Sequence, residues 1–220
     1  MKKSIFYSWQ SDSNQKENRF LIKDALEEAV RTLSQGFTVD EATREIPGHA
    51  PIFDSIMRKI QTAALFVADL TLVGRYSETK GTPNPNVLIE YGYALAVMGD
   101  LKIIPVMNTS AGRPDALPFD LRHRSVRVQY HLEPHADGEK RKNEGKRLTD
   151  MLRREITLVW KKVLSGGLTD QELRIVELFV RQSELGRPGT PQLTREQLQQ
   201  ALNLDAAEVC RAIDKLEGEH

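Results

Sequence analysis

The 220-residue sequence predicts an α/β fold: a parallel five-stranded sheet with helices on both faces, followed by a small all-α unit. Three observations predict it. Short apolar runs that stop at polar residues recur along residues 1–165. Stretches with helical spacing separate them, and alternating strands and helices build a parallel sheet. The composition then changes at Ser165-Gly166-Gly167, a joint beyond which only helical patterns remain. The expected domains are therefore residues 1–165 and 166–220.

Ser4–Tyr7 is a short apolar strand ending at the polar run Ser8-Trp9-Gln10-Ser11-Asp12-Ser13. Asn18–Leu33 places Leu21, Ile22, Ala25, Leu26, Ala29, Val30 and Leu33 on one helical face. Phe37–Val39 is a second strand, stopping at Asp40. A loop with Gly48 flanked by Pro47 and Pro51 leads to a helix over Ile52–Gln61, with Ile52, Ile56 and Ile60 on one side. Ala64–Ala68 is a third strand, ending at Asp69, and a long polar loop runs on to Asn84-Pro85-Asn86. Val87–Met98 is a helix, Lys102–Met107 a fourth strand reaching Asn108, and Ser125–Tyr130 an alternating fifth strand. A charged helix from about Gly138 to Val163 closes the unit. Five such strands suggest a doubly wound, flavodoxin-like order, 2-1-3-4-5, in which ligands bind beyond the carboxyl ends of the strands. That edge gathers Ser8 to Asp12, Asp40, Asp69 and Asn108. Polar residues also end strands simply because turns need them, which accounts for about half of these positions.

Composition narrows the function. Lys plus Arg and Asp plus Glu are both 31, so the net charge is zero, which argues against a strongly basic nucleic-acid binder. The balance is uneven: residues 166–220 hold six basic and ten acidic side chains, leaving a mildly basic front. Cys210 is the only cysteine, so there is neither a disulfide framework nor a cysteine zinc site. His49, His123, His131 and His135 show no metal spacing, and no glycine-rich phosphate loop supports ATP hydrolysis. Apolar stretches fall short of the roughly 20 residues of a membrane helix, and the start reads as a strand and not as a signal peptide. The expectation is a cytoplasmic protein without membrane contact.

Glu90 is the odd residue. Val87–Met98 is apolar almost all round, as in a helix buried on most faces, and Glu90 is its only charge. A carboxylate there is costly unless something pairs with it or uses it. Asn84-Pro85-Asn86 is a helix start, whose free N–H groups favour an ionised Glu90 against the cost of burial. An ionised carboxylate suits a nucleophile or a stabiliser of positive charge and not a general acid. The plain alternative is a structural salt bridge to Arg122 or Arg124. Gly92, two residues on, suggests either a close approach to the backbone or tight helix–sheet packing.

Four stretches in sequence order carry a family likeness: Phe6-Tyr7-Ser8-Trp9-Gln10-Ser11-Asp12, Val67-Ala68-Asp69-Leu70-Thr71, Pro83-Asn84-Pro85-Asn86-Val87-Leu88-Ile89-Glu90-Tyr91-Gly92-Tyr93-Ala94, and Pro118-Phe119-Asp120-Leu121-Arg122-His123. Over roughly residues 3–160 the chain resembles the bacterial TIR-like (Toll/interleukin-1 receptor-like) nucleotide-binding domains of antiphage effectors. More distantly, the Glu-x-Gly-x-Ala pattern is similar to nucleoside 2-deoxyribosyltransferases, which use the Glu as nucleophile. The resemblance implies cleavage of NAD+ at the nicotinamide–ribose bond, with NAD+ as substrate, no cofactor, and Glu90 as the catalytic carboxylate. It also implies substrate contacts from Tyr7, Ser8, Trp9, Asp12, Asp40, Asp69 and Asn86. Trp9 would stack on a base or pack internally, and Asp69 would bond ribose or cap its strand. The loop at 40–51 corresponds to the one through which TIR domains self-associate. A nucleoside N-glycosidase or transferase is the second reading, and a non-catalytic TIR-like scaffold the third.

The back unit shows helices over Thr169–Gln182, Thr194–Leu202 and Ala206–Leu216, a helix-turn-helix pattern like the three-helix part of a winged-helix domain with no segment left for a wing. Its last helix carries Glu208, Asp214, Glu217 and Glu219 against Arg211 and Lys215. DNA affinity comes largely from cations on phosphate, so a contact with a protein partner fits better than DNA.

Overall fold

A computed structural model describes residues 3–33, 36–41 and 52–164. Most of the 40–51 loop and the helix-turn-helix expected at 166–220 lie outside the described residues. Contacts divide the chain into two compact units at Val159–Trp160, and the first of them holds the sheet.

The first strand, β1 (Lys3–Ser8), is followed by α1 (Arg19–Arg31), β2 (Phe37–Glu41), α2 (Ile52–Thr62) and β3 (Leu65–Asp69). A hairpin of two two-residue strands comes next, β4 (Gly74–Arg75) and β5 (Gly81–Thr82). Then come α3 (Pro85–Met98), β6 (Ile103–Asn108), the single turn α4 (Phe119–Arg122), β7 (Val128–Tyr130) and α5 (Gly138–Leu164). The main sheet is parallel throughout, in the order β2-β1-β3-β6-β7, and β4 pairs antiparallel with β5 apart from it. With the hairpin set aside this is the expected 2-1-3-4-5 order. The central strands read as continuous apolar runs because both faces of the sheet are covered: every residue of β3 and of β6 is buried.

Successive strand residues point to opposite faces, and this sorts the core into two layers. Phe6, Phe66 and Ala68 pack with Ile60 of α2 and with Val87, Tyr91 and Ala94 of α3. Phe6 and Phe66 stack at 5.9 Å, and Tyr91 meets Phe66 edge-on at 6.4 Å. On the other face Tyr7 reaches α1, donating its hydroxyl to the Arg19 carbonyl at 3.5 Å. Helix α1 buries Leu21, Ile22, Ala25, Leu26, Ala29 and Val30, the stripe its spacing predicts. Helix α5 buries Leu148, Leu152, Ile156 and Val159 at the same helical period. It meets α1 at Gly145, where an added Cβ would stand 3.3 Å from Leu21 Cδ1.

Three expectations need correction. The fifth strand pairs over only three residues, because Val128–Tyr130 alone find partners in Val106–Asn108 of β6; Val126 is still buried. The polar loop before α3 contains the β4–β5 hairpin, too short for any periodicity to announce. Helix α3 is not buried on most faces. It buries Val87, Glu90, Tyr91 and Ala94, while Ile89 and Val97 are 54% and 41% exposed. A helix laid on one face of a sheet has a solvent side whatever its composition. Gly92 lies on that side, and a Cβ added there would meet nothing within 4 Å, so tight helix–sheet packing does not explain it.

Candidate active site

Glu90 is buried, 8% exposed, on the second turn of α3. The helix starts as its sequence predicts. Asn84 is the N-cap, its side-chain carbonyl accepting the Asn86 amide at 2.7 Å, and Pro85 occupies the first turn, where a missing N–H costs nothing. This start points the second turn at the carboxyl end of β1. There Ser8, fully buried, donates its hydroxyl to Glu90 Oε2 at 2.5 Å. The two anticipated salt-bridge partners are engaged elsewhere: Arg124 binds Asp100 at 2.5 Å, and the Arg122 guanidinium lies over the Phe119 ring at 5.4 Å.

Beside this pair, Asp12 accepts a hydrogen bond from the Asn84 side-chain amide, joining the loop after β1 to the cap of α3. Ser8 and Glu90 thus meet directly, while Asp12 and the Asn86 backbone amide each bond the Asn84 side chain. Gln10, placed at this edge within Ser8 to Asp12 but not chosen as a site residue, also bonds Asn84. It is fully buried; its Nε2 donates to the Thr71 carbonyl at 2.7 Å and its Oε1 accepts the Asn84 backbone amide at 2.8 Å. No periodicity marks a loop residue as buried, so a glutamine in a polar run gave no signal.

The remaining candidates lie apart from Glu90. Tyr7 and Asp69 belong to the opposite face of the sheet, by alternation from Ser8 and Ala68. Trp9 is buried, and the Arg19 guanidinium sits 3.4 Å from its ring centroid, so one ring face is already stacked. Asp40 lies within β2, bonded to Lys59 Nζ at 2.7 Å.

That opposite face has its own polar network at the carboxyl edge. Asn108 donates to Asn18 Oδ1 at 3.2 Å and to the Leu132 carbonyl at 2.8 Å, and Tyr130 donates to the Glu17 carbonyl at 2.9 Å. Burial, then the nearby Asp69 charge, pushes the Tyr7 and Tyr130 hydroxyls well above the ordinary tyrosine range. Asp69 accepts the Thr71 amide at 2.9 Å through Oδ1, while its buried Oδ2 accepts no hydrogen bond from the described residues. Burial raises its carboxyl above the usual carboxylate range, against the opposing effect of the Thr71 and Gln10 bonds.

Asp69 makes stability depend on pH. With its folded pKa raised, the folded state holds this proton after the unfolded chain has released it. Stability therefore falls as pH rises from the unfolded aspartate range through the folded pKa, and is level above it. Asp69→Asn removes that loss. The urea midpoint of the variant relative to wild type is expected to climb with pH across this window; a constant difference would remove Asp69 as the titrating group.

Among the described residues no cluster of three or more His, Cys, Asp or Glu could hold a metal ion, and no helix is long and apolar enough to cross a membrane. A scan against protein-family models found no match, and neither did a search of curated proteins.

Proposed function

We propose that this chain is a TIR-like NAD+ glycohydrolase with Glu90 as its catalytic carboxylate. The observation that carries the reading is the Ser8–Glu90 pair: a buried carboxylate at the carboxyl edge of a doubly wound sheet, where such folds bind ligands, fixed by a hydroxyl from the end of β1. Nicotinamide in NAD+ is a cation before it leaves, so it departs without protonation and no general acid is required. The ribose becomes oxocarbenium-like, as in glycoside cleavage. A carboxylate held beside that developing charge stabilises the transition state more than the ground state. The Ser8 hydroxyl contributes by holding one carboxylate oxygen in place, so that little reorganisation accompanies charge development.

The test is nicotinamide release from NAD+ by the full chain, wild type beside Glu90→Gln. A parallel incubation with nucleosides, scored for free base, separates this reading from an N-glycosidase. Free base without nicotinamide would replace the substrate and keep Glu90; neither product at any protein concentration would leave a missing activator or a scaffold. The TIR resemblance also points to activation by self-assembly in a defence effector. Nicotinamide release is therefore expected to rise faster than linearly with protein concentration, and a strictly proportional rate would refute assembly.

A further inference from the structure

Gln10 closes a ring of contacts around Glu90. It is fully buried in the loop after β1, and both ends of its carboxamide bond backbone, Nε2 to the Thr71 carbonyl beyond β3 and Oε1 to the Asn84 amide that opens α3, while the Asp69 carboxyl lies alongside. Asn84 passes the constraint on, since its side chain caps α3 at Asn86 and bonds Asp12. Glu90 follows six residues into the same segment, and its partner Ser8 stands two residues before Gln10 on the same strand end. The route Ser8, Gln10, Asn84, α3, Glu90 and back to Ser8 is therefore closed by hydrogen bonds at two places. Apolar packing under α3 does not fix the helix in this way, because van der Waals contacts are non-directional and tolerate small slides. A two-ended carboxamide fixes both distance and direction.

We propose that Gln10 is the positioning residue of the site, setting the register of α3 against β1 and so the place of the Glu90 carboxylate. This rests on the function proposed above only where turnover is the readout. Gln10 acts through Asn84 and α3, and a shift of about 1 Å in a catalytic group is worth about 10²-fold in rate.

The test uses the full chain with Gln10→Met, which keeps length and loses both hydrogen bonds, and Gln10→Glu. The first readout is amide hydrogen exchange. In Gln10→Met the 84–90 segment is expected to exchange about tenfold faster while 103–107 in β6 is unchanged. Unchanged exchange at 84–90, or equal acceleration in β6, would overturn the proposal. The second readout is nicotinamide release, where kcat is expected to fall about 10- to 100-fold with KM within about threefold; an unaltered kcat, or a loss confined to KM, would count against it.

Gln10→Glu supplies a readout that a merely structural role would not move. A protonated carboxyl can donate to the Thr71 carbonyl and accept from the Asn84 amide, as the carboxamide does, whereas a carboxylate has no proton for Thr71. The Asp69 carboxyl, which Gln10 also bonds, would repel that carboxylate, so the comparison is made in an Asp69→Asn background. There the rate of this variant relative to Asp69→Asn alone, and the protection of its 84–90 segment, are expected to recover as pH falls; flat ratios would refute the proposal. Should Gln10→Met fail to fold, this pH series decides alone. If wild type releases no nicotinamide, the substrate reading fails, and the exchange experiments still decide the role of Gln10.

Discussion

Glu90→Gln is expected to lower nicotinamide release by about 10³-fold, the scale found when a group aimed at transition-state charge is removed, with little change in stability. The carboxamide has the shape of the carboxylate, so the packing around a residue only 8% exposed is kept. Its oxygen can still accept the Ser8 hydroxyl, so the bond at the end of β1 also survives. On the proposed reading, what the variant lacks is negative charge beside the ribose as nicotinamide departs, a charge that counts for more in the transition state than in the ground state. The fall should therefore appear in kcat, with KM for NAD+ close to wild type. The check is single-turnover and steady-state nicotinamide release together with a urea unfolding curve. Full turnover from a folded variant would remove Glu90 from the chemistry.

Phe66→Ala is expected to destabilise the domain by about 3–5 kcal/mol, the usual cost of emptying a buried phenylalanine site. Phe66 is fully buried on the central strand β3 and joins two aromatic contacts, stacked with Phe6 and edge-on to Tyr91. Removing the ring forfeits its transfer free energy, leaves a void between sheet and α3, and breaks both ring contacts. Against a total stability of about 5–15 kcal/mol for an ordinary domain, the urea midpoint should fall by a large fraction of its wild-type value. Phe66→Leu, which keeps most of the volume, should cost under about 2 kcal/mol. Equal losses for the two would mean that the volume of the ring contributes little. Tyr91 neighbours Glu90 in α3, so the alanine variant also withdraws the floor on which the second turn of that helix rests.

Most of the sheet was legible because buried parallel strands leave apolar runs and α1 leaves a clear stripe. The strand order followed from the number of strands and the connection rule. Residues whose state depends on a partner far along the chain were not legible. Nothing within Ser125–Tyr130 shows that β6 offers pairing partners to only the last three of these residues. The apolar composition of α3 conceals which side meets solvent. At the site, a single charge in an apolar helix singled out Glu90, and the strand-end position singled out Ser8. The side to which a strand-end residue points is fixed by one step of alternation, and this places Tyr7 and Asp69 on the face away from Glu90. Gln10 stayed hidden because its partners, Thr71 and Asn84, are met only once three loops converge.

The Ser8–Glu90 hydrogen bond joins residues 82 positions apart. Strand β1 is made before the other strands, yet it sits inside the sheet between β2 and β3, and its hydroxyl waits for a helix that comes after two further strands and a hairpin. A chain stopped before α3 lacks Glu90, and one stopped within α3 lacks the β6 and β7 strands that complete the sheet. During synthesis, where domains form as units, the Ser8–Glu90 contact therefore arrives late and in a single step. On the function proposed above, a partly made chain of this kind has no activity, which would suit a protein whose reaction drains a metabolite that its own maker needs.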